Sequence, residues 1–130
     1  MPPICLAIAV VEDEEPVRKA LGRLLRTFGF AVTTFASGDS FLDSLSTSKP
    51  DCAILDLHLP GISGLEIQER LSREGAGVPC IVITGQDEVG TRERVLAAGA
   101  TAYLTKPLDE GILIKAISSA IPESGNRNQS

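Results

Sequence analysis

The sequence predicts an α/β domain in which a parallel sheet of five strands carries helices on both faces. Two observations predict it. Five apolar runs, 4–11 (ICLAIAVV), 31–36 (AVTTFA), 52–55 (CAIL), 80–84 (CIVIT) and 102–105 (AYLT), are mostly aliphatic or β-branched throughout instead of alternating, the pattern of strands covered on both faces. The intervening segments repeat apolar residues at helical spacing, so strand and helix alternate five times and right-handed crossovers distribute the helices over both sides.

The elements follow in order. After the first run, Val17, Leu21, Leu24, Leu25 and Phe28 share one helix face, Pro16 suits the first turn and Gly29 the stop. Ser37 can cap a second helix carrying Phe41, Leu42 and Leu45, and Ser63 a third carrying Ile67 and Leu71. Asp87 or a neighbour opens a fourth that ends near Gly99, and a fifth runs from about Leu108 to Ala120. In that fifth helix Leu108, Ile112, Ala116 and Ala120 form the expected inward stripe, with Ile114 off it and left for a partner or a second copy. Residues 1–121 read as one domain, without internal repeats, and 122–130 (PESGNRNQS) as a flexible C-terminal tail.

Charge and cysteine usage narrow the function. A formal charge of −5 and a pI near 4.8 argue against general binding to nucleic acid or an anionic membrane. The apolar stretch 4–11 lacks a positive leader and is too short to span a bilayer, so neither signal peptide nor anchor is expected. Cys5, Cys52 and Cys80 are odd in number, form no C-x-x-C pair and lie in or beside apolar runs. They read as buried free thiols, which favours a cytoplasmic location.

The chemistry sits at the carboxyl ends of the strands, where open parallel sheets bind ligands at the point of reversal in strand order. The first run ends in Glu12 and Asp13, the third in Asp56, the fourth in Thr84 and the fifth in Lys106. If the first and third runs are neighbours, three carboxylates, a hydroxyl and an ammonium converge on one rim. Each has a bland alternative: Asp56 precedes a Pro-Gly turn, Glu12 and Asp13, with Glu14 and Glu15 next to them, suit a helix N-terminus, Thr84 before Gly85 fits ordinary strand-end chemistry, and Lys106 could lay its stem over apolar surface. The ordered set favours a joint role. Clustered carboxylates repel, and a hard divalent cation relieves that repulsion. Asp56 then has what a phosphoryl acceptor needs: a metal for the entering group, with Lys106 and Thr84 for its oxygens.

The stretches VVEDE, LDLHLPGISG, VITG and GATAYLTKP, in this order and spacing over residues 4 to about 121, resemble the receiver domains of two-component response regulators, and VVEDEEPVRKAL resembles the FixJ-like subfamily. The resemblance implies a flavodoxin-like doubly wound (βα)5 fold with strand order 2-1-3-4-5. It also implies that Asp56 is the phosphoacceptor. Glu12, Asp13, Asp56 and the backbone carbonyl of His58 would hold Mg²⁺, with Mn²⁺ as the alternative. Thr84 and Lys106 would contact the phosphoryl group, and Thr84 and Tyr103 would form the switch. The Lys106–Pro107 bond is cis in this family. Glu12 stands where aspartate is more frequent, and His58 and Gln86 hold variable positions that could influence how long the phosphoaspartate survives. FixJ-like receivers usually precede a helix-turn-helix domain, which these residues do not include.

The implied partners are a histidine kinase or phosphotransfer protein and a downstream effector protein or domain. The readout would be the face of helix four, strand five and helix five, with a phosphorylation-dependent homodimer as a further option; direct nucleic-acid or membrane binding is not expected. The resemblance implies no conventional enzyme, although the domain contributes to its own phosphorylation and dephosphorylation. The alternatives are a phosphorylation-independent interaction module and an aspartyl phosphatase, whose D-x-D motif is absent because His58 follows Asp56-Leu57. Neither a G-x-G-x-x-G nor a Walker loop is present to bind a nucleotide.

Overall fold

The computed structural model describes residues 6–121. Each apolar run forms a strand: β1 (Ala7–Val11), β2 (Ala31–Phe35), β3 (Cys52–Asp56), β4 (Cys80–Thr84) and β5 (Ala102–Thr105). They pair in parallel in the order β2-β1-β3-β4-β5. Between and after them lie α1 (Glu15–Thr27), α2 (Gly38–Ser44), α3 (Gly64–Arg73), α4 (Thr91–Ala97) and α5 (Glu110–Ala120). Strand order reverses between β1 and β3, which places the end of β1 beside the end of β3. The expected fold is the observed one.

Every residue of β3 and β4 is buried, because the pleat sends alternate side chains into two separate cores. Ile8, Cys52, Ile54, Ile81 and Ile83 meet Leu21 and Leu25 of α1 and Leu113 and Ile117 of α5. On the other face Ala9, Val11, Leu55 and Cys80 meet Phe41 of α2 and Ile67 and Leu71 of α3. Each fully buried Ile or Leu contributes roughly 1.5–3 kcal/mol. Cys52 and Cys80 are free and buried on opposite faces, and burial pushes both thiols up to about 12. Cys5 and the expected tail 122–130 lie outside the described residues. Among those described, no helix is long and apolar enough to cross a membrane.

Local chemistry explains most boundaries. The Ser63 hydroxyl accepts from Glu66 N–H at 3.1 Å while Glu66 accepts from Ser63 N–H at 2.8 Å, the reciprocal capping box that starts α3. Ser37 caps α2 through Ser40 N–H at 3.2 Å. At the end of α1, Gly29 takes φ +92°, and Gly29 N–H and Phe30 N–H return to Arg26 and Leu25 carbonyls, a closure that favours glycine.

Four expectations need correction. Phe28 does not join the buried face of α1; it is the C-cap residue and is 46% exposed. Asp87 does not open α4, because its carboxylate accepts the Tyr103 hydroxyl at 2.9 Å; the helix starts at Thr91 after Gly90, whose φ is +86°. The fifth helix starts at Glu110, capped by the Asp109 side chain on Ile112 N–H, two residues later than Leu108. Its buried stripe is Leu113, Ile117 and Ala120, while Ile112 is 56% exposed and Ile114 packs partly against the core. The Lys106–Pro107 peptide is cis, as the resemblance implies.

Candidate functional site

The sheet register aligns the strand ends. Val11 pairs with Leu55, Asp56 with Ile83, and Thr84 with Thr105, so the residues that finish or follow β1, β3, β4 and β5 emerge on one rim. Glu12 N–H donates to Phe35 O at 3.0 Å, and Lys106 N–H to Thr84 O at 2.7 Å. These backbone bonds fix where the two side chains depart. The resulting cleft, about 330 Å³, is lined by Asp13, Glu14, Asp56, His58, Gln86 and Lys106, together with Gly85.

Carboxylate oxygens of Glu12, Asp13 and Asp56 all lie within 4.8 Å of one another. Glu12 is 0% and Asp56 4% exposed, whereas Asp13 is exposed. Lys106 Nζ donates to Glu12 Oε1 at 2.9 Å and to Asp56 Oδ2 at 3.3 Å, with Glu14 Oε1 at 3.9 Å. Asp56 Oδ1 also accepts from His58 N–H at 3.0 Å, while the His58 side chain is exposed. Four of the predicted side chains, Glu12, Asp13, Asp56 and Lys106, are thus brought together.

Burial raises the Glu12 carboxyl above its ordinary value; the Lys106 hydrogen bond and Glu14 N–H oppose this without cancelling it, and Asp56 reinforces it. Burial works against the Lys106 charge, yet the Glu12 bond and the charges of Asp56 and Glu12 together outweigh it, leaving its ammonium raised. One ammonium facing three carboxylates leaves an excess of negative charge and an all-oxygen donor set. That chemistry fits a hard divalent cation, so Glu12, Asp13 and Asp56 could hold a metal ion.

Thr84 and Tyr103 are placed differently. The buried Thr84 hydroxyl donates to Gln86 O at 3.1 Å and accepts from Gln86 N–H at 3.0 Å, which ties it into its own loop. The Tyr103 ring is 4% exposed among Leu57, Val82, Val95 and Ala100, and its hydroxyl is committed to Asp87. Burial first, then Asp87, pushes this phenol up to about 12.

Sequence reasoning missed three contributors. Arg18 Nη1 donates to the carbonyls of Glu12 at 2.9 Å and Asp13 at 3.3 Å, fixing the acidic loop from the first turns of α1; its spacing from Glu12 was the available signal. Gly64 lets α3 approach the end of β3, since a Cβ there would sit 2.5 Å from Asp56 O. Asp87 gave no signal beyond capping chemistry.

Comparison with known proteins gives a consistent set of likenesses. A sequence model for the response regulator receiver domain matches residues 8–118. The chain is 34% identical over 127 residues to the transcriptional regulatory protein FixJ of Azorhizobium caulinodans, covering 98% of this chain and 60% of that protein. It spans only half to three fifths of the length of such curated relatives. The crystal structure of FixJ-N superposes with a TM-score of 0.83 at 34% identity, covering 91% of this chain and 94% of the other. A response regulator receiver protein from Burkholderia phymatum superposes with a TM-score of 0.79 at 45% identity, covering 89% of this chain and 94% of the other.

Proposed function

Because this chain belongs to the response regulator receiver domain family, we propose that Asp56 accepts a phosphoryl group from a histidine kinase or phosphotransfer protein. An Asp56 carboxylate oxygen attacks phosphorus, the P–O bond forms as the donor's P–N bond breaks, and the departing imidazole takes up a proton. Attack of water on phosphorus later releases inorganic phosphate and restores the carboxylate. Mg²⁺ or Mn²⁺, held by Glu12, Asp13, Asp56 and the His58 carbonyl, would neutralise negative charge on the phosphoryl oxygens.

The single observation that carries this reading is the Lys106 ammonium placed on Asp56 and Glu12 beside Asp13. Lys106 holds Asp56 in place and offers its charge to the incoming group. The Thr84 hydroxyl proton can serve Gln86 O or a phosphoryl oxygen, but not both at once. Phosphorylation therefore draws Thr84 away from its loop, and the loop also carries Asp87, the partner of Tyr103. That difference in contacts biases two arrangements of α4, β5 and α5, which a downstream effector protein or domain, or a second copy, reads. This chemistry belongs to a cytoplasmic signalling module and not to a conventional enzyme.

Incubation with acetyl phosphate and Mg²⁺ tests the proposal. Modification that stops at one phosphoryl group per chain and is absent in Asp56→Asn supports it. Steady turnover of p-nitrophenyl phosphate indicates a phosphatase instead, and no modification of either protein indicates an interaction module independent of phosphate.

A further inference from the structure

A groove lies away from the carboxylate site, along the outer side of α1 where it meets β2. It encloses about 470 Å³ and is lined by Arg18, Lys19, Arg23, Arg26, Thr27 and Thr34. Four cations and no acid line it, on a chain whose formal charge is −5. Lys19 pairs with Glu15 at 2.9 Å, but both are well exposed and such a pair contributes little. Arg18 is occupied with the carbonyls of Glu12 and Asp13. Among the described residues Arg23 takes part in no ion pair, so its charge faces the groove uncompensated.

Arg26 is built into the floor. A Cβ at Gly22 would lie 3.2 Å from Arg26 Nη1 and 3.5 Å from Thr34 Cγ2, so the missing side chain lets the guanidinium lie across the helix while α1 closes on β2. Its Nη2 donates to Val32 O at 3.3 Å. That carbonyl lies on the outer edge of the sheet, because among the described residues β2 pairs with β1 alone. Ala31 N–H and Phe35 O are used inward, toward Leu6 and Glu12. Alternation along the strand therefore turns the amide groups of Val32 and Thr34 outward.

We infer that this groove and the β2 edge dock an acidic, extended segment of a partner protein, which adds as a strand beside β2 and lays its carboxylates on Arg23 and Arg26. A peptide backbone matches the alternating N–H and C=O groups of the edge, which a phosphodiester backbone does not, and the net negative charge of the whole chain opposes nucleic acid beyond the groove. Because side chains on one face of a strand recur every second residue, the segment carries acids at alternate positions. The groove shares no lining residue with the Asp56 cleft; Arg18 alone links the two, through the Glu12 and Asp13 carbonyls.

The test uses the full chain and a short fluorescein-labelled peptide alternating glutamate with valine, with the lysine–valine peptide as control. Saturable binding to the glutamate peptide alone is expected, weakening as salt is raised, with amide shift changes at Val32 and Thr34. Arg23→Ala/Arg26→Ala should weaken it by about tenfold. Both arginines are exposed, so the variant should fold, as circular dichroism can verify, and Arg70→Ala/Arg73→Ala, which lies outside the groove, should bind as wild type. Absence of saturable binding, equal binding by the groove variant, shifts that avoid β2, or equal competition by a short DNA duplex would each overturn the inference.

Discussion

Glu12 and Lys106 meet at 2.9 Å across 94 residues of sequence. The same Nζ reaches Asp56 at 3.3 Å, so one ammonium bridges two carboxylates that the sheet has buried. Burying either acid without that cation would leave its charge uncompensated. Among the described residues the acids of the site therefore outnumber the one ammonium placed between them.

Replacing Glu12 by Gln should stabilise the metal-free protein near neutrality by about 1 kcal/mol, roughly 4 °C in Tm. Burial raises Glu12 above 4.5, so the stability linked to it is complete below that pH and is lost as pH rises through the raised folded value. The Tm advantage of Glu12→Gln should accordingly be small near 4.5 and widen toward neutrality. Scanning fluorimetry over that range checks it, and an advantage that shrinks with rising pH contradicts it.

Gly64→Ala should lower stability by about 2 kcal/mol and slow modification of Asp56. Its Cβ would meet Asp56 O at 2.5 Å and Leu57 Cα at 2.9 Å, backbone atoms that cannot rotate away, so the acceptor strand must shift. Gly85→Ala is the control, since its Cβ would meet nothing nearer than Lys106 Cδ at 3.8 Å. Urea unfolding of the two variants should separate them; equal midpoints would show that the close approach is not limiting.

Tyr103 is the one tyrosine in a chain without tryptophan, so ultraviolet titration of phenolate reports it alone. Phenolate should form near pH 12 instead of 10.0. Asp87→Asn should bring the midpoint down, yet not fully to 10.0, because burial is the larger cause. The raised value means that the associated stability is intact below pH 10.0 and is lost as pH climbs through about 12. A midpoint unmoved by Asp87→Asn would show that the hydrogen bond carries none of the shift.

The sheet was legible because β3 and β4 are buried on both faces, and only unbroken aliphatic or β-branched runs such as CAIL and CIVIT suit that environment. The convergence of Glu12, Asp13, Asp56 and Lys106 was legible for a related reason: each sits just at or past the end of such a run, and parallel strands bring those ends together. What escaped depends on tertiary competition. Asp87 has a good capping side chain, but Tyr103, 16 residues away, takes it. Around α5, Leu108 ahead of the helix and Ile112, Leu113, Ile114, Ala116, Ile117 and Ala120 within it satisfy two overlapping helical stripes, and packing against β4 and β5 selects the one through Leu113 and Ile117. Gly64 carries no local signal, since its role is the distance of another segment's backbone. Nor does sequence show that the Thr84 hydroxyl faces Gln86.

Intact-mass spectrometry with peptide mapping, on chain treated with acetyl phosphate, bears most directly on the site. One phosphoryl group should be added, located on Asp56 and dependent on Mg²⁺, formed at least about tenfold more slowly in Lys106→Ala and not at all in Asp56→Asn. Labelling of Asp56→Asn equal to wild type, or labelling of Asp56 that proceeds equally well in EDTA, would contradict it.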